Sequence, residues 1–279
     1  MDNIYLPYQA KITNIFTETE DKNIKTFDVE LIKKEDKEKF KFMPGQFAQF
    51  SLYSYGESPF GIASSPLEKN IIKFSINKTG VVTNRIHELQ VGEKVGIRGP
   101  YGNYFPLEKF KRNNIIIIGG GFAFTTLRSL IKYLLESKNR SNYNKIIILY
   151  GVRTPGMLLY KDLLNEWKKR NDIELYLTVD RADENWKGRE GLIPNVLKEI
   201  GPSPNNAYVV VCGPPIMIRF TLKALEELKF KKDKIYTSLE MRMKCAVGKC
   251  GRCNIGPKYI CKDGPIFSMD ELYNFIKEL

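Results

Sequence analysis

The feature that most constrains the fold is a change in hydrophobic pattern close to Pro106. Before this point, short segments alternate apolar and polar residues and are rich in Ile, Phe, Val and Thr, as half-buried strands are. After it, continuous apolar runs alternate with amphipathic segments, as in a parallel sheet that is covered by helices on both faces. The pattern predicts two domains of different class, and 279 residues are enough for both.

Residues 1–108 predict a small antiparallel β-barrel of about six strands. Turn signals such as Pro44-Gly45 and Gly92-Glu93 separate the strands. One short helix is predicted over Thr83–Leu89. The most regular strand patterns lie at Gln9–Thr17, Lys25–Lys33, Gln46–Leu52 and Ile71–Asn77.

Residues 109–238 predict a doubly wound α/β domain with a five-stranded parallel sheet. Ligands bind such sheets beyond the carboxyl ends of the strands. The predicted strands are Asn114–Ile118, Ile146–Tyr150, Ile173–Val179, Tyr208–Cys212 and Ile235–Ser238. The predicted helices are Thr125–Glu136, Tyr160–Arg170, Leu192–Glu199 and Ile216–Leu228. Residues 239–279 form a C-terminal tail that ends in an amphipathic stretch, Met269–Leu279.

Four of the five cysteines lie in this tail, at Cys245, Cys250, Cys253 and Cys261, with the spacing C-x4-C-x2-C-x7-C. Disulfides are disfavoured by the crowding and by the expected cytoplasmic setting. A four-cysteine zinc site usually has two C-x2-C pairs, and only one is present here. The order C-x4-C-x2-C…C matches the plant-type arrangement for a 2Fe–2S cluster, with a shortened last gap. A 2Fe–2S cluster is the first prediction, and zinc and free thiols stay as alternatives.

Charge and hydropathy narrow the classes of partner. The excess of 44 Lys and Arg over 32 Asp and Glu gives a net charge of +12, but the basic residues are spread along the chain. We therefore predict no nucleic-acid partner, and a basic patch for an acidic protein stays open. No apolar run approaches the ~18 residues of a membrane helix. Because no secretion signal is visible either, a cytoplasmic protein without a membrane partner is expected.

The glycines at Gly119–Gly121 follow a predicted buried strand and precede a helix, where amide N–H groups and the helix dipole favour a phosphate. The third glycine of a Rossmann fingerprint is missing, and no acid ends the second strand, so a tight turn is an equal alternative. Two barrel segments, residues 56–66 and 77–85, combine small residues with hydroxyl groups. Each is an ordinary turn or part of a cofactor site.

The order of these motifs resembles the ferredoxin–NADP reductase superfamily. The resemblance rests on the barrel segment at residues 58–65, the Gly80-x-x-Thr83 helix start, the Gly99-Pro100-Tyr101-Gly102 turn, the glycine loop and Cys212-Gly213-Pro214. The cysteine tail looks like that of electron-transfer subunits that carry FAD and 2Fe–2S. The sulfhydrogenase gamma type is the closest match, beside the corresponding subunits of anaerobic sulfite reductase and of dihydroorotate dehydrogenase.

The resemblance implies a set of site residues. Pro59, Phe60, Gly61 and Ile62 occupy the place of the flavin motif R-x-Y-S, so that Phe60 is expected against the isoalloxazine. The FAD pyrophosphate is expected at Gly80 and Thr83, within a segment that also supplies Asn77, Lys78 and Val82. The nicotinamide dinucleotide is expected at Gly120, Gly121, Gly213 and Pro214, with Cys212 close to the reacting carbons. The cluster ligands would be Cys245, Cys250, Cys253 and Cys261.

Two departures from the family pattern matter. Ser58 and Gly61 replace the arginine and the serine of the flavin motif, so Lys78 or Arg85 is expected to supply the missing cation. The glycine loop continues as residues 122–126, Phe-Ala-Phe-Thr-Thr, so a bulky Phe122 or Phe124 is expected to narrow the nicotinamide site.

The implied function is transfer of electrons from NADH or NADPH through FAD and a 2Fe–2S cluster to a partner redox subunit, in either direction. The partner would be a catalytic or electron-transfer subunit, itself an iron–sulfur protein of hydrogenase or sulfite reductase type. Lys244, Lys249 and Arg252 would make the association sensitive to salt. The alternatives are a zinc-stabilised basic binding module, and a relay subunit that has lost the pyridine nucleotide.

Overall fold

The computed structural model describes residues 3–275. These residues form two compact units, each assembled from separate stretches of the chain. Unit 1 comprises the described residues up to Phe105, together with Arg128–Tyr133 and Leu239–Pro265. Unit 2 comprises Pro106–Leu127, Leu134–Ser238 and the described residues from Ile266 onward.

Unit 1 is built on an antiparallel sheet of six strands within the described chain, which confirms the predicted barrel. Its strand order is β4-β3-β6-β1-β2-β5. The strands are β1 (Tyr8–Thr17), β2 (Ile24–Leu31), β3 (Phe47–Leu52), β4 (Gly56–Gly61), β5 (Ile72–Asn77) and β6 (Lys94–Tyr101), and the helices are α1 (Lys34–Lys39) and α2 (Val81–Glu88).

The core of the barrel consists of the inward-facing residues of these strands. Phe27, Phe50, Phe74, Val95 and Ile97 are all fully buried and belong to one apolar cluster. Their alternation with polar neighbours is the period-2 pattern of a sheet with one face in the core. Helix α2 adds its buried face to this core, and the ring of its His87 is hydrogen-bonded to the carbonyl of Ile76 at 2.8 Å.

Unit 2 contains a mostly parallel sheet in the order β10-β9-β8-β7-β11-β12-β15. Its strands before the cysteine tail are β7 (Asn114–Gly120), β8 (Ile146–Val152), β9 (Glu174–Val179), β10 (Arg189–Glu190), β11 (Ala207–Cys212) and β12 (Ile235–Ser238). The helices are α3 (Leu107–Phe110), α4 (Phe124–Leu135), α5 (Ser137–Arg140), α6 (Lys161–Lys168), α7 (Ile193–Ile200) and α8 (Pro215–Glu227). The middle of α4 belongs to unit 1.

The cysteine tail divides between the two units. In unit 1 it forms β13 (Asn254–Ile255), β14 (Lys258–Tyr259) and α9 (Ile260–Asp263). In unit 2 it forms β15 (Ile266–Ser268), which pairs antiparallel with β12, and α10 (Met269–Phe275). The predicted amphipathic stretch therefore begins as a helix, and its last four residues lie outside the described chain.

Two features of the sheets differ from the sequence predictions. Strands β4 and β6 were not among the four barrel strands predicted by range. In β4, Gly56, Pro59 and Gly61 are poor strand formers, and it forms as an edge strand paired with β3 alone. The parallel sheet was predicted with five strands, and over the described residues it has seven. The two additions are the short edge strands β10 and β15, which are too brief to show a hydrophobic period. None of the described helices is long and apolar enough to cross a membrane.

Candidate flavin, nucleotide and cluster sites

The four tail cysteines lie in one loop of unit 1 and form two thiol pairs. Cys245 is hydrogen-bonded to Cys250, and Cys261 to Cys253. Cys253 and Cys261 are buried, Cys245 is half-buried and Cys250 is exposed. In residues 3–275 no group of three or more His, Cys, Asp or Glu side chains is arranged to hold a single metal ion. The donor set is thus two pairs of thiols, and a 2Fe–2S cluster takes four cysteine thiolates.

Backbone amides point at two of these sulfurs. The Sγ of Cys245 accepts hydrogen bonds from three amides, and the Sγ of Cys261 accepts one from Gly248 at 3.1 Å. The amides that donate to Cys245 are those of Val247 at 3.5 Å, Lys249 at 3.3 Å and Cys250 at 3.4 Å. Positive φ angles at Ala246 (60°) and Gly248 (73°) turn the chain back on itself so that these N–H groups converge. Such donors stabilise negative sulfur, as a bound iron–sulfur centre requires.

The pKa values of the cysteines at the two ends of this loop, Cys245 and Cys261, are shifted in opposite directions. Burial opposes the thiolate of Cys245, but the three amide donors outweigh it and lower the pKa of Cys245 to about 6. Burial, the hydrogen bond that the Cys261 thiol donates to Cys253 and the neighbouring thiols raise the pKa of Cys261 to about 12, against the opposing effect of the Gly248 amide. The lowered pKa favours the thiolate form of Cys245, which is the form that binds a metal centre.

Side chains of the barrel hold both ends of the cysteine loop. At its start, the Gln49 amide donates to the carbonyl of Lys244 at 3.1 Å, and Arg98 Nη1 donates to the carbonyl of Cys245 at 3.1 Å. At its end, Asn103 Nδ2 donates to the carbonyl of Asp263 at 3.0 Å, and the Asn103 backbone N–H donates to Gly264 at 2.6 Å. The loop is thus fixed to strands β3 and β6 by polar contacts.

Arg98 is the most connected of these barrel residues. Its guanidinium forms an ion pair with Glu57 of β4, donates to the Tyr101 hydroxyl at 2.9 Å, and lies over the rings of Tyr5 and Tyr101. Burial works against its charge, but Glu57 and Tyr101 more than compensate and raise the pKa of Arg98. Sequence reasoning missed Arg98, Gln49 and Glu57 as functional candidates. Their only signal is polarity in strands that also carry core residues, and solvent-facing positions show the same signal.

The two segments expected to bind FAD lie next to each other in unit 1. Phe60 packs on the barrel core with its ring edge-on to Phe50, at 6.4 Å between centroids. Pro59 and Gly61 flank it in β4, and the buried Ile62 follows. Val82 of α2 comes within 3.9 Å of the Cβ position of Gly56, so the start of α2 borders β4.

At the start of α2, the Thr83 hydroxyl organises the preceding turn. Its Oγ1 accepts hydrogen bonds from the amides of Thr79 at 2.9 Å and Gly80 at 2.8 Å, and donates to the Gly80 carbonyl at 3.0 Å. The space beside Gly80 is open, with nothing within 4 Å of its Cβ position. The turn also contains Asn77 at the end of β5 and the exposed Lys78. The helix start, its open side and the nearby cation fit an anion such as a pyrophosphate.

One orphaned polar atom lies on β3 beside the flavin segment. The Oε1 of the fully buried Gln49 has no hydrogen-bond partner among the described residues. Gln49 pairs across the sheet with Pro59. A buried acceptor without a donor costs about 1–3 kcal/mol, and this one lies on the sheet face that meets the cysteine loop, because the Gln49 amide donates to the Lys244 carbonyl.

The three glycines at the end of β7 are each required for a different reason. A Cβ on Gly119 would lie 2.5 Å from the ring of Phe124, and a Cβ on Gly120 would clash with the sulfur of Met217. Gly121 has a φ of 55°, a left-handed conformation that disfavours other residues, and the space beside it is open. The loop is therefore both a tight turn and an accessible amide surface at the start of a helix.

Phe122 stays a candidate for narrowing the nicotinamide site, but Phe124 is ruled out. Its ring is fully buried, stacked on Tyr150 at 3.8 Å between centroids and edge-on to Trp167. Phe122 is half-buried. Of the two rings, Phe124 belongs to the core of unit 2, because the first helical turn directs it under the sheet against Gly119.

The segment Cys212-Gly213-Pro214 lies beside the glycine loop. Cys212 ends β11 in register with Gly119 and is 1% exposed. A Cβ on Gly213 would lie 2.5 Å from the Met217 methyl, so Gly120 and Gly213 both pack under the same thioether. The structure thus brings the residues expected at the nucleotide together in unit 2. Met217, which sequence reasoning missed, covers two of them.

Comparisons with known families agree with this geometry. Residues 10–105 match the family described as oxidoreductase FAD-binding domain, and residues 117–223 match oxidoreductase NAD-binding domain. Residues 240–273 match the iron–sulfur cluster binding domain of dihydroorotate dehydrogenase B. These three matches follow the barrel, the parallel sheet and the cysteine loop in order.

Individual relatives cover nearly the whole chain. Sulfhydrogenase 1 subunit gamma of Pyrococcus furiosus is 36% identical over 96% of this chain and 92% of its own length. A probable electron transfer subunit of dihydroorotate dehydrogenase B (NAD(+)) from the same organism is 34% identical over 91% of this chain and 87% of its own. A solved NADH-dependent reduced ferredoxin-NADP oxidoreductase has the same fold, with a TM-score of 0.74 at 23% identity over 100% of this chain and 95% of that one.

Proposed function

The chain belongs to the ferredoxin reductase-like family of electron-transfer subunits with FAD-binding, NAD-binding and iron–sulfur domains, and we propose that it carries electrons between NADPH and a partner redox subunit. In this family FAD exchanges a hydride for single electrons, and an iron–sulfur cluster carries them one at a time. The proposed division of labour is FAD at residues 1–108, nucleotide at 109–238 and a 2Fe–2S cluster at 239–279.

In the proposed flavin site, β4 and the start of α2 act together. Phe60 supplies an aromatic surface on β4, and Pro59, Gly61 and Ile62 shape the strand around it. The Thr83 hydroxyl holds the turn at Gly80 open for the pyrophosphate. Lys78 is the proposed cation because Arg85 is already paired with Glu88 at 2.7 Å. Neither position reproduces the arginine of the family motif, which is Ser58 here.

In the proposed nucleotide site, the amides after Gly120 and Gly121 face the pyrophosphate, and Cys212, Gly213 and Pro214 border the nicotinamide. The choice of NADPH rests on two arginines. Arg153 and Arg181 follow the carboxyl ends of the adjacent strands β8 and β9, both are exposed, and the Arg181 amide donates to the Arg153 carbonyl at 3.0 Å. Two cations at this edge suit a 2′-phosphate, whereas an acid would suit the free hydroxyl of NADH.

In the proposed cluster site, Cys245, Cys250, Cys253 and Cys261 hold a 2Fe–2S cluster as two pairs. Cys250 is the exposed ligand, so its side of the loop is the proposed exit to the partner. The exposed cations Lys244, Lys249 and Arg252 border this side and favour a partner with an acidic surface.

The partner is proposed to be an iron–sulfur subunit of hydrogenase or sulfite reductase type. Relatives of this chain include gamma subunits of sulfhydrogenases and electron transfer subunits of dihydroorotate dehydrogenase B. A cytoplasmic location, and the absence of nucleic-acid and membrane partners, stay predictions from the sequence.

The observation that carries the proposal is the cysteine loop fixed on the same compact unit as the predicted flavin segments. The test is an absorbance spectrum of anaerobically purified protein from about 300 to 700 nm, recorded before and after NADH and then NADPH. Flavin and iron–sulfur bands that bleach faster with NADPH would support it. Bands that persist with both nucleotides would favour the relay that has lost pyridine nucleotide, and a colourless protein with bound zinc would favour the binding module.

A further inference from the structure

The buried guanidinium of Arg98 connects the strand expected to contact the flavin with the first ligand of the cluster. Resting on the proposed function, we propose that Arg98 is a positioning residue for electron transfer: it fixes the Cys245 end of the cysteine loop to β4 and raises the reduction potential of the cluster. The step it serves moves one electron from reduced flavin to oxidised cluster and changes no covalent bond.

The geometry begins with the two faces of the barrel sheet. In the register of β3, Gln49 pairs with Pro59 on one side and with Arg98 on the other, so these three residues share one face of the sheet. The next residue of β3, the fully buried Phe50, lies on the opposite face, in the core. Because side chains alternate, the face that carries Arg98 would meet solvent in an isolated barrel. Here the cysteine loop covers it, and Arg98 is only 3% exposed.

Side chains on the two faces of strand β4 make different contacts. On the core side, Phe60 packs against Phe50 and presents the ring expected at the flavin. On the other side, Glu57 accepts two hydrogen bonds from Arg98, one from Nε at 3.2 Å and one from Nη2. Because Arg98 Nη1 also donates to the Cys245 carbonyl at 3.1 Å, three hydrogen bonds link the flavin strand through Arg98 to a cluster ligand.

The shape of the arginine side chain is essential to this role. Its planar fork donates to Glu57 from one edge and to Tyr101 and Cys245 from another. A lysine ammonium at the same place keeps the charge but offers one point of contact instead of a fork. Replacing Arg98 with lysine therefore separates the positioning effect from the charge effect.

Water screens the positive charge of Arg98 less than the negative charge of Glu57. The Arg98 side chain is 4% exposed, whereas its partner Glu57 is 32% exposed and is screened more strongly by water. The net field at the Cys245 end of the loop is therefore positive. A positive field favours the reduced cluster, because reduction adds one negative charge, and cluster potentials respond to nearby charge.

The test uses the full chain with its flavin and cluster, and follows the cluster signal in an EPR-monitored redox titration. In Arg98→Gln we expect the equilibrium to move about tenfold toward the oxidised cluster, which is about 59 mV for a one-electron couple. Arg98→Lys should keep the potential near that of the wild type but slow the flavin-to-cluster step in stopped-flow experiments about tenfold. Glu57→Gln should shift the potential in the opposite direction, because it leaves Arg98 unpaired.

The matched control is Lys73→Gln. Lys73 also forms an ion pair in this barrel, with the buried Asp28 of β2 at 2.5 Å, but neither residue contacts the cysteine loop in the hydrogen bonds described. Loss of the Lys73–Asp28 ion pair should destabilise the barrel and leave the reduction potential of the cluster unchanged. An equal shift in this control would overturn the inference, because any loosening of the barrel would then account for the effect.

The remaining outcomes are decisive as well. If the reduction potential of the cluster is unchanged in Arg98→Gln at full iron content, the charge effect is overturned. If the flavin-to-cluster rate in Arg98→Lys equals that of the wild type, the positioning effect is overturned. If Arg98→Gln does not fold, Glu57→Gln decides alone, and an unshifted potential overturns the inference. Failure of the proposed function is a separate result, since a wild-type chain without flavin or iron–sulfur absorbance shows it before any variant is measured.

Discussion

The cysteine loop and the glycine loop are both rich in small residues, but different forces shape them. At the end of β7, apolar side chains pack directly against glycines: the Phe124 ring against Gly119 and the Met217 thioether against Gly120. In the cysteine loop, hydrogen bonds determine the path, with amides donating to the sulfurs of Cys245 and Cys261. The first loop is held by packing and the second by polar contacts, so they should respond differently to substitution and to pH.

The largest contrast is expected between a cysteine of the cysteine loop and Cys212, which ends β11 beside the glycine loop. Cys253→Ala removes a buried thiol of the predicted cluster, and we expect bound iron and cluster absorbance to fall more than about tenfold. Cys212→Ala removes an equally buried thiol in unit 2 and should leave the iron content unchanged. Iron analysis of anaerobically purified chains measures both. Loss of iron in Cys212→Ala, or full iron content in Cys253→Ala, would contradict the assignment.

Packing in unit 2 is tested by Phe124→Ala. This ring is stacked on Tyr150 in the core, so its loss should lower the free energy of unfolding by about 3–5 kcal/mol. Urea unfolding followed by tryptophan fluorescence reports this unit, because the buried Trp167 contacts Phe124. The half-buried Phe122 provides the control, and Phe122→Ala should cost clearly less. Equal costs would mean that Phe124 is not a core residue.

The smallest expected effect is a loss of stability in acid, through the ion pair between Glu68 and Arg128 in unit 1. Glu68 bonds Arg128 through both carboxylate oxygens at 3.0 Å, and Arg128 donates to the Ala63 carbonyl at 2.7 Å. Burial works against the Glu68 carboxylate, but Arg128 and the Ser65 amide outweigh it, so the pKa of Glu68 is lowered from its ordinary value of 4.5. Its stabilising contribution is therefore complete above about pH 4.5 and is lost as the pH falls through the lower folded value.

Glu68→Gln should flatten this acid dependence, with a difference of about 1 kcal/mol or less between pH 7 and pH 3. Thermal unfolding across that range measures it. Glu108→Gln is the control, because Glu108 is 83% exposed and its ion pair with Lys111 lies at the surface. If the stability of Glu68→Gln depends on pH as steeply as that of the wild type, the Glu68 carboxylate does not stabilise the folded state.

Sequence reasoning succeeded where burial of apolar residues alone decides the structure. The run Ile115–Ile118 predicted a strand buried on both faces, and all four side chains are at most 1% exposed. It failed at β4, which forms by pairing with β3 despite poor strand propensity. It also did not distinguish Phe122 from Phe124, because the sequence does not show which way the first helical turn directs each ring.

The sequence alone was enough to predict a four-cysteine site and two domains of different class, because cysteine spacing and side-chain periodicity are local properties. The roles of Gln49 and Arg98 were decided only by the tertiary structure. Their strand positions read as solvent-facing until a loop 147 residues beyond Arg98 covers them. The sequence carries both partners of each contact, but only folding brings them together, and the low dielectric of the covered face then makes a surface arginine an anchor.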